Sequence, residues 1–223
     1  MAEIQVMKNI LGENDRVAAE NQALFAEKNV YVINLMGSPG AGKTSVLEKT
    51  MEKLKDKLKM AVIEGDLFTS KDADRIEKHG VPVIQINTAG GCHLDAPMVQ
   101  KVAQKLDLDD LDLLVVENVG NLVCPAEFAV GEDDKGVVLS ITEGDDKKPM
   151  KYPLIFKESA IALLNKADLL PYCNFDMAAA KEDITTLHPG MDVIEVSCTK
   201  DQGLDAWCDW LLGRVAAKQK KGK

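Results

Sequence analysis

Gly37-Ser38-Pro39-Gly40-Ala41-Gly42-Lys43-Thr44 is the stretch on which the reading of this chain turns. It fits the pattern G-x-x-x-x-G-K-[ST] at every fixed position. The β-rich run Val30-Tyr31-Val32-Ile33-Asn34-Leu35 precedes it, and residues 44–58 follow with helical spacing. Strand, glycine loop and helix in that order are the context in which such a loop cradles phosphates. Gly37, Gly40 and Gly42 let backbone N–H groups turn inward around an anion, and Ala41 completes the loop. The helix that begins here, with Ser45 in its first turn, adds partial positive charge at the same place. Lys43 is expected to reach the β- and γ-phosphates, and the Thr44 hydroxyl to coordinate Mg²⁺.

Working outward, strand and helix patterns alternate to the end of the chain. Strands are expected at 60–64, 82–86, 111–116, 136–141, 161–164 and 193–196, and helices at 71–78, 97–105, 177–187 and 204–217. Leu113-Leu114-Val115-Val116 is a continuous apolar run, as a strand covered on both faces requires. This order implies an α/β fold of P-loop NTPase type, a mostly parallel sheet with helices on both faces. Residues 1–29 read as an N-terminal helical arm with its helix at 6–28, and 30–217 as the nucleotide-binding domain. Residues 218–223, with four lysines, read as a disordered basic tail. Residues 143–157 are charged, carry two prolines and read as a flexible surface or partner-contact loop.

Composition bounds the function. The 223 residues are 46% hydrophobic, enough for one cored domain. No apolar run reaches the roughly 20 residues of a membrane span, and the start has no basic region followed by a greasy stretch. The expected location is cytoplasmic. A net charge of -9 argues against indiscriminate nucleic-acid binding. Five cysteines without tight spacing do not make a disulfide framework.

Asn165-Lys166-Ala167-Asp168 follows the expected strand at 161–164. A carboxylate at Asp168 can accept from guanine N1–H and its 2-amino group, whereas adenine offers neither donor. Asn165 can hold the loop and the other edge of the base, and Lys166 can lay its methylenes on the ring. Ser197 and Cys198, after the last strand, are placed to offer backbone N–H groups to the base. An ATP-dependent small-molecule kinase is the rival on this fold, and Asp168 argues against it.

Two strand ends carry acids. Glu117-Asn118-Val119-Gly120 puts Glu117 where the Mg²⁺ shell forms and the Gly120 N–H where a γ-phosphate is sensed. Asp66, in Glu64-Gly65-Asp66, is the candidate for coordinating Mg²⁺ or orienting the attacking water. Lys43, Asp66 and Glu117 are thus the catalytic candidates. Gly90-Gly91-Cys92-His93 and Cys124-Pro125 offer two thiolates and an imidazole, ligands suited to Zn²⁺ or Ni²⁺. From spacing alone, Cys92 and Cys124 could equally be small core residues. His79 and His188 read as helix-end residues, and Cys208, near Trp207 and Leu211, as core.

Taken together, residues 36–44, 64–66, 90–94, 117–125 and 165–168 resemble the hydrogenase nickel-incorporation GTPase family, HypB. The resemblance implies a slow GTPase of the SIMIBI class, which includes signal-recognition-particle and MinD-like proteins, binding GTP or GDP. It implies a GTP-promoted homodimer with nickel or zinc in the switch region at Cys92, His93 and Cys124. It also implies two partners, a nickel-binding chaperone and the large-subunit precursor of [NiFe] hydrogenase. Some members carry an N-terminal Cys-x-x-Cys-Gly-Cys site or a histidine-rich tract. Residues 1–29 hold neither Cys nor His, so high-affinity nickel binding by this arm is not expected. The urease accessory GTPase, a relative, carries a Cys-Pro-His tripeptide that is absent here.

Overall fold

The computed structural model describes residues 3–66, 75–144 and 148–221. Its centre is β1, Tyr31–Gly37, whose seven residues are all buried. That burial is why the run before the glycine loop has no polar alternation: both faces of the strand are covered. Around it stand β2 (Met60–Asp66), β3 (Val83–Asn87), β4 (Leu113–Glu117), β5 (Asp134–Ser140), β6 (Ser159–Asn165) and β7 (Asp192–Val196). The sheet order is β3-β2-β4-β1-β5-β6-β7 and every pairing in it is parallel. Parallel pairing needs crossovers, and these are the helices that cover the two faces.

Alternate residues of β1 divide between the layers. Tyr31, Ile33 and Leu35 meet α2 (Lys43–Leu54) and the C-terminal helix Leu204–Lys221 through Val46, Leu47, Met51, Trp207 and Leu211. Inside this layer the Trp207 indole N–H donates to the Thr50 hydroxyl at 2.8 Å, and that hydroxyl donates to Val46 O at 2.7 Å. Among the described residues, no buried side-chain donor of this layer lacks a partner. On the other face Val32 packs with Phe25 of α1 (Glu3–Glu27) and with Val99 and Ala103 of α3 (Ala96–Ala103). Met36 packs there with Ile155, Phe156, Ala180 and Ile184.

Two expectations are corrected. The basic end is not a solvated tail over 218–221, because the last helix continues through Lys221. Lys218 Nζ lies 2.5 Å from Asp133 and Gln219 donates to Asp112 at 2.7 Å, tying the helix to the strand bottoms. Residues 222–223 lie outside the described residues. In the segment expected as a loop at 143–157, residues 145–147 lie outside the described residues and 148–157 are not open loop. The segment contains the short helices Lys148–Lys151 and Pro153–Glu158, with a proline in the first turn of the second. Ile155 and Phe156 are fully buried, and Lys148 pairs with Glu143. Residues 71–74, half of the helix expected at 71–78, lie outside the described residues; 75–77 are helical.

Phe25 is the main apolar anchor of α1 on the sheet. Phe25→Ala is expected to lower unfolding free energy by about 3–5 kcal/mol, measured by urea denaturation followed by circular dichroism.

Candidate functional site

Every strand of a parallel sheet ends at the same edge, and the loops leaving that edge build the site. A cleft of about 460 Å³ opens there, lined by Gly40, Gly42, Lys43, Thr44 and Ser45 from the glycine loop. Glu64 and Asp66 from the end of β2, Glu117 and Gly120 from the end of β4, Arg75 and Lys166 complete it. Gly42 takes φ +96, and a Cβ there would come within 2.3 Å of Asn165 Nδ2. Only glycine satisfies both constraints. Gly120 fits as closely: its added Cβ would lie 2.8 Å from the Pro39 backbone. The end of β4 therefore rests directly on the phosphate loop.

Thr44 Oγ1 donates to Glu117 Oε1 at 2.7 Å. Glu117 is 4% exposed, and in the β2–β4 register it stands opposite Glu64, which is 2% exposed. A hydroxyl and several carboxylates facing one phosphate cleft are the oxygen donors that Mg²⁺ takes alongside water and phosphate. The residues present fit that ion. Glu64 was not singled out from sequence; the signal was a charge inside the buried run Met60–Asp66. Arg75 was missed as well. It lines the cleft, donates to Ser45 Oγ at 3.1 Å and pairs with Glu48 at 2.5 Å.

Two of the expected phosphate-loop residues, Gly37 and Ala41, do not line the cleft. Gly37 O accepts from Asn121 N–H at 2.9 Å, and the buried Ala41 offers its carbonyl to Asn165 Nδ2 at 2.9 Å. Lys166 also leans on the loop, its Nζ donating to Gly40 O at 2.8 Å. A second cavity, about 330 Å³, adjoins the first and is lined by Gly42, Ser45, Asn165, Lys166, Leu169, Cys198 and Thr199. Asp168 stands beside it, accepting from Ser197 Oγ at 2.5 Å. The expectation for Ser197 needs correcting on this point. Its backbone N–H is taken by Gln202 O at 2.9 Å, so what it offers this region is the hydroxyl that orients Asp168. The Cys198 thiol is half-buried, and burial pushes its pKa up.

The loops after β3 and β4 bring Cys92, His93 and Cys124 together, with one ligand atom of each within 4.8 Å of the others. The sulfurs of Cys92 and Cys124 are 3.1 Å apart, and Cys92 Sγ lies 3.5 Å from His93 Nδ1. Adjacent residues can aim at one point because the loop turns through positive φ at Ala89 and Gly90. The His93 ring stacks on Phe128 with centroids 4.0 Å apart. Burial lowers its pKa, which favours the neutral, ligating imidazole. The proton shared with Cys92, together with burial, holds the Cys124 thiol above its ordinary range. Two sulfurs and a nitrogen form a borderline-soft set suited to Zn²⁺ or Ni²⁺. One chain supplies all three. Cys173 and Cys208 stand apart, packed against the two hydrophobic layers. His188 caps the helix Met177–Leu187, as its position suggested.

Phosphate loop, paired acids and a parallel sheet define a P-loop nucleotide-binding protein. The comparisons with known proteins narrow this. The family described as CobW/HypB/UreG, nucleotide-binding domain, matches residues 31–195. The hydrogenase maturation factor HypB of Escherichia coli K12 is 48% identical over 211 residues, 95% of this chain and 72% of that protein. The crystal structure of HypB from Helicobacter pylori in complex with nickel superposes with a TM-score of 0.87 at 38% identity, covering 95% of this chain and 97% of that one. HypB from Archaeoglobus fulgidus gives 0.86 at 34% identity, covering 92% and 99%. The signal recognition particle receptor FtsY of Elizabethkingia anophelis, with a TM-score of 0.55 at 18% identity over 87% of this chain and 72% of that one, shares the fold alone. The chain belongs to the HypB family of hydrogenase maturation factors. Among the described residues, no helix is long and apolar enough to cross a membrane.

A metal at the trio must displace the Cys124 proton, whose pKa lies above neutrality. Zn²⁺ or Ni²⁺ affinity is therefore expected to rise with pH between 6 and 8, by about tenfold per unit for each proton released. Calorimetry in buffers of different ionisation enthalpy counts those protons; a pH-independent affinity would exclude thiolate ligation.

Proposed function

We propose that this chain is a slow GTP hydrolase that carries nickel as cargo and uses nucleotide state to load and release it during [NiFe] hydrogenase maturation. One observation carries the reading. Cys124 follows the loop leaving β4, whose Glu117 to Gly120 wall the phosphate cleft, and the loop that carries Cys92 and His93 is fastened to it by the Asn118 and Asn121 side chains. The name shared by the relatives supplies the hydrogenase context. The nickel named for the Helicobacter pylori structure is an ion that this donor set suits.

In this reading Lys43 and the loop N–H groups hold the β- and γ-phosphates. Thr44 and Glu117 hold Mg²⁺, with Asp66 and Glu64 facing the same cleft. The ion, when bound, neutralises charge developing between the phosphates. Asp66 orients the attacking water, and Gly120 N–H senses the γ-phosphate. Asp168, held by Ser197, reads the guanine edge, while Asn165 and Lys166 secure the base pocket to the phosphate loop; Cys198 lines that pocket. The protein acts in the cytoplasm, as a dimer when GTP is bound, between a nickel-binding chaperone and the hydrogenase large-subunit precursor.

Asp168→Asn replaces an acceptor by a group that sets a donor against guanine. GTP affinity is expected to fall roughly 10²-fold or more while metal affinity without nucleotide stays unchanged. Titration with fluorescent GTP and ATP analogues reads this, and equal binding of both by the unaltered chain would remove the guanine assignment. Nickel affinity is expected to differ between the GTP-analogue and GDP forms by about fivefold or more. Equal affinities would end the proposed coupling, and Cys92→Ala is expected to weaken binding in both forms.

A further inference from the structure

Between the two sites stands a residue that supplies no ligand to either. Asn121 follows Gly120 in the loop leaving β4. Its backbone N–H donates to Gly37 O at 2.9 Å, and the two residues pair as an isolated antiparallel bridge. Its carboxamide points the other way. Nδ2 donates to Cys92 O at 3.3 Å, and Oδ1 accepts from the Val123 N–H at 2.9 Å. Val123 is the residue from which the helix Cys124–Glu127 starts. One side chain thus touches both thiol-bearing loops while its own backbone is fastened to the first residue of the phosphate loop.

The neighbouring asparagine acts elsewhere. Asn118 Oδ1 accepts from Leu94 N–H and Val119 N–H, both at 2.9 Å, and its Nδ2 donates to Asn34 inside the fold. It anchors the base of the two loops, whereas Asn121 spans their tips where Cys92 and Cys124 stand.

We propose that Asn121 is the positioning residue that sets the spacing of Cys92 and Cys124 in step with the phosphate loop, and so transmits nucleotide state to the metal cluster. Its chemistry suits this role, because a carboxamide of this length donates to one loop and accepts from the other. Alanine keeps the backbone bridge to Gly37 and loses the side-chain bonds to Cys92 O and Val123 N–H, together with the carboxamide's bond to the Cys124 thiol. Aspartate keeps the acceptor for Val123 and sets an oxygen against Cys92 O. Neither change removes a metal ligand or a phosphate contact. This inference rests on the nucleotide-coupled nickel reading above.

The test titrates Ni²⁺ into the full chain, unaltered or carrying Asn121→Ala or Asn121→Asp, with a non-hydrolysable GTP analogue or with GDP. The quantity read is the ratio of the two nickel affinities, with melting temperature and metal-free nucleotide affinity recorded alongside. In the unaltered chain the ratio is expected to be about fivefold or more. Asn121→Ala is expected to bring it near one, with nucleotide affinity within about twofold of the unaltered chain. A merely structural residue would lower both nickel affinities together and leave the ratio standing, and that result overturns the inference while the functional reading survives. A ratio of one in the unaltered chain overturns both. Should Asn121→Ala not fold, Asn121→Asp carries the test: a reduced ratio supports the role of the Cys92 contact, and a full ratio overturns it.

Discussion

All that this molecule does depends on one geometric constraint: seven parallel strands deliver their carboxyl ends to one edge of the sheet. β1 ends there in the phosphate loop, β2 and β4 end there in acids, β6 ends there in Asn165, and the loops after β3 and β4 carry the thiols. The register of β2 on β4 sets Glu64 opposite Glu117, and that of β1 on β4 places the Glu117 loop over Gly37. Such proximity is written into the sheet and needs no assembly by mobile segments. The two donor sets of the site, hard oxygens lining the cleft and soft sulfurs beside it, sit on adjacent turns of the same scaffold.

The separation of these donor sets is itself informative. Glu64, Glu117 and Thr44 are buried at the floor of the cleft and offer oxygen donors of the kind a hard cation takes. Cys92 is exposed, with Cys124 and His93 half-buried. An accessible set of soft ligands suits an ion that must arrive and leave, whereas a structural zinc site is closed. The stacking of His93 on Phe128 steadies one ligand without enclosing the cluster.

Much of this was legible in the chain. The glycine loop and the buried runs around it are local patterns with dense constraints, so the strands of the sheet appear in the structure within a few residues of their expected places. The Cys92, His93 and Cys124 trio was visible as residue types, and its clustering only through the family resemblance, because its closure depends on the positive-φ turn at Ala89 and Gly90 and on strand order. What escaped the reading was long-range pairing. Lys218 with Asp133, and Ile155 and Phe156 against the sheet, convert apparent tail and loop into packed helix, and no local pattern announces them. Glu64 and Asn121 escaped for the same reason: each draws its meaning from a partner strand or loop.

The central claim is that the loop walling the phosphate cleft and the loop fastened to it hold two sulfurs and an imidazole around one nickel ion. A crystal of the GTP-analogue form loaded with nickel, measured at the nickel absorption edge, addresses it directly. The account predicts an anomalous peak within bonding reach of the Cys92 and Cys124 sulfurs and the His93 ring. A peak elsewhere in the chain, or the three side chains drawn apart around an unoccupied loop, would contradict it.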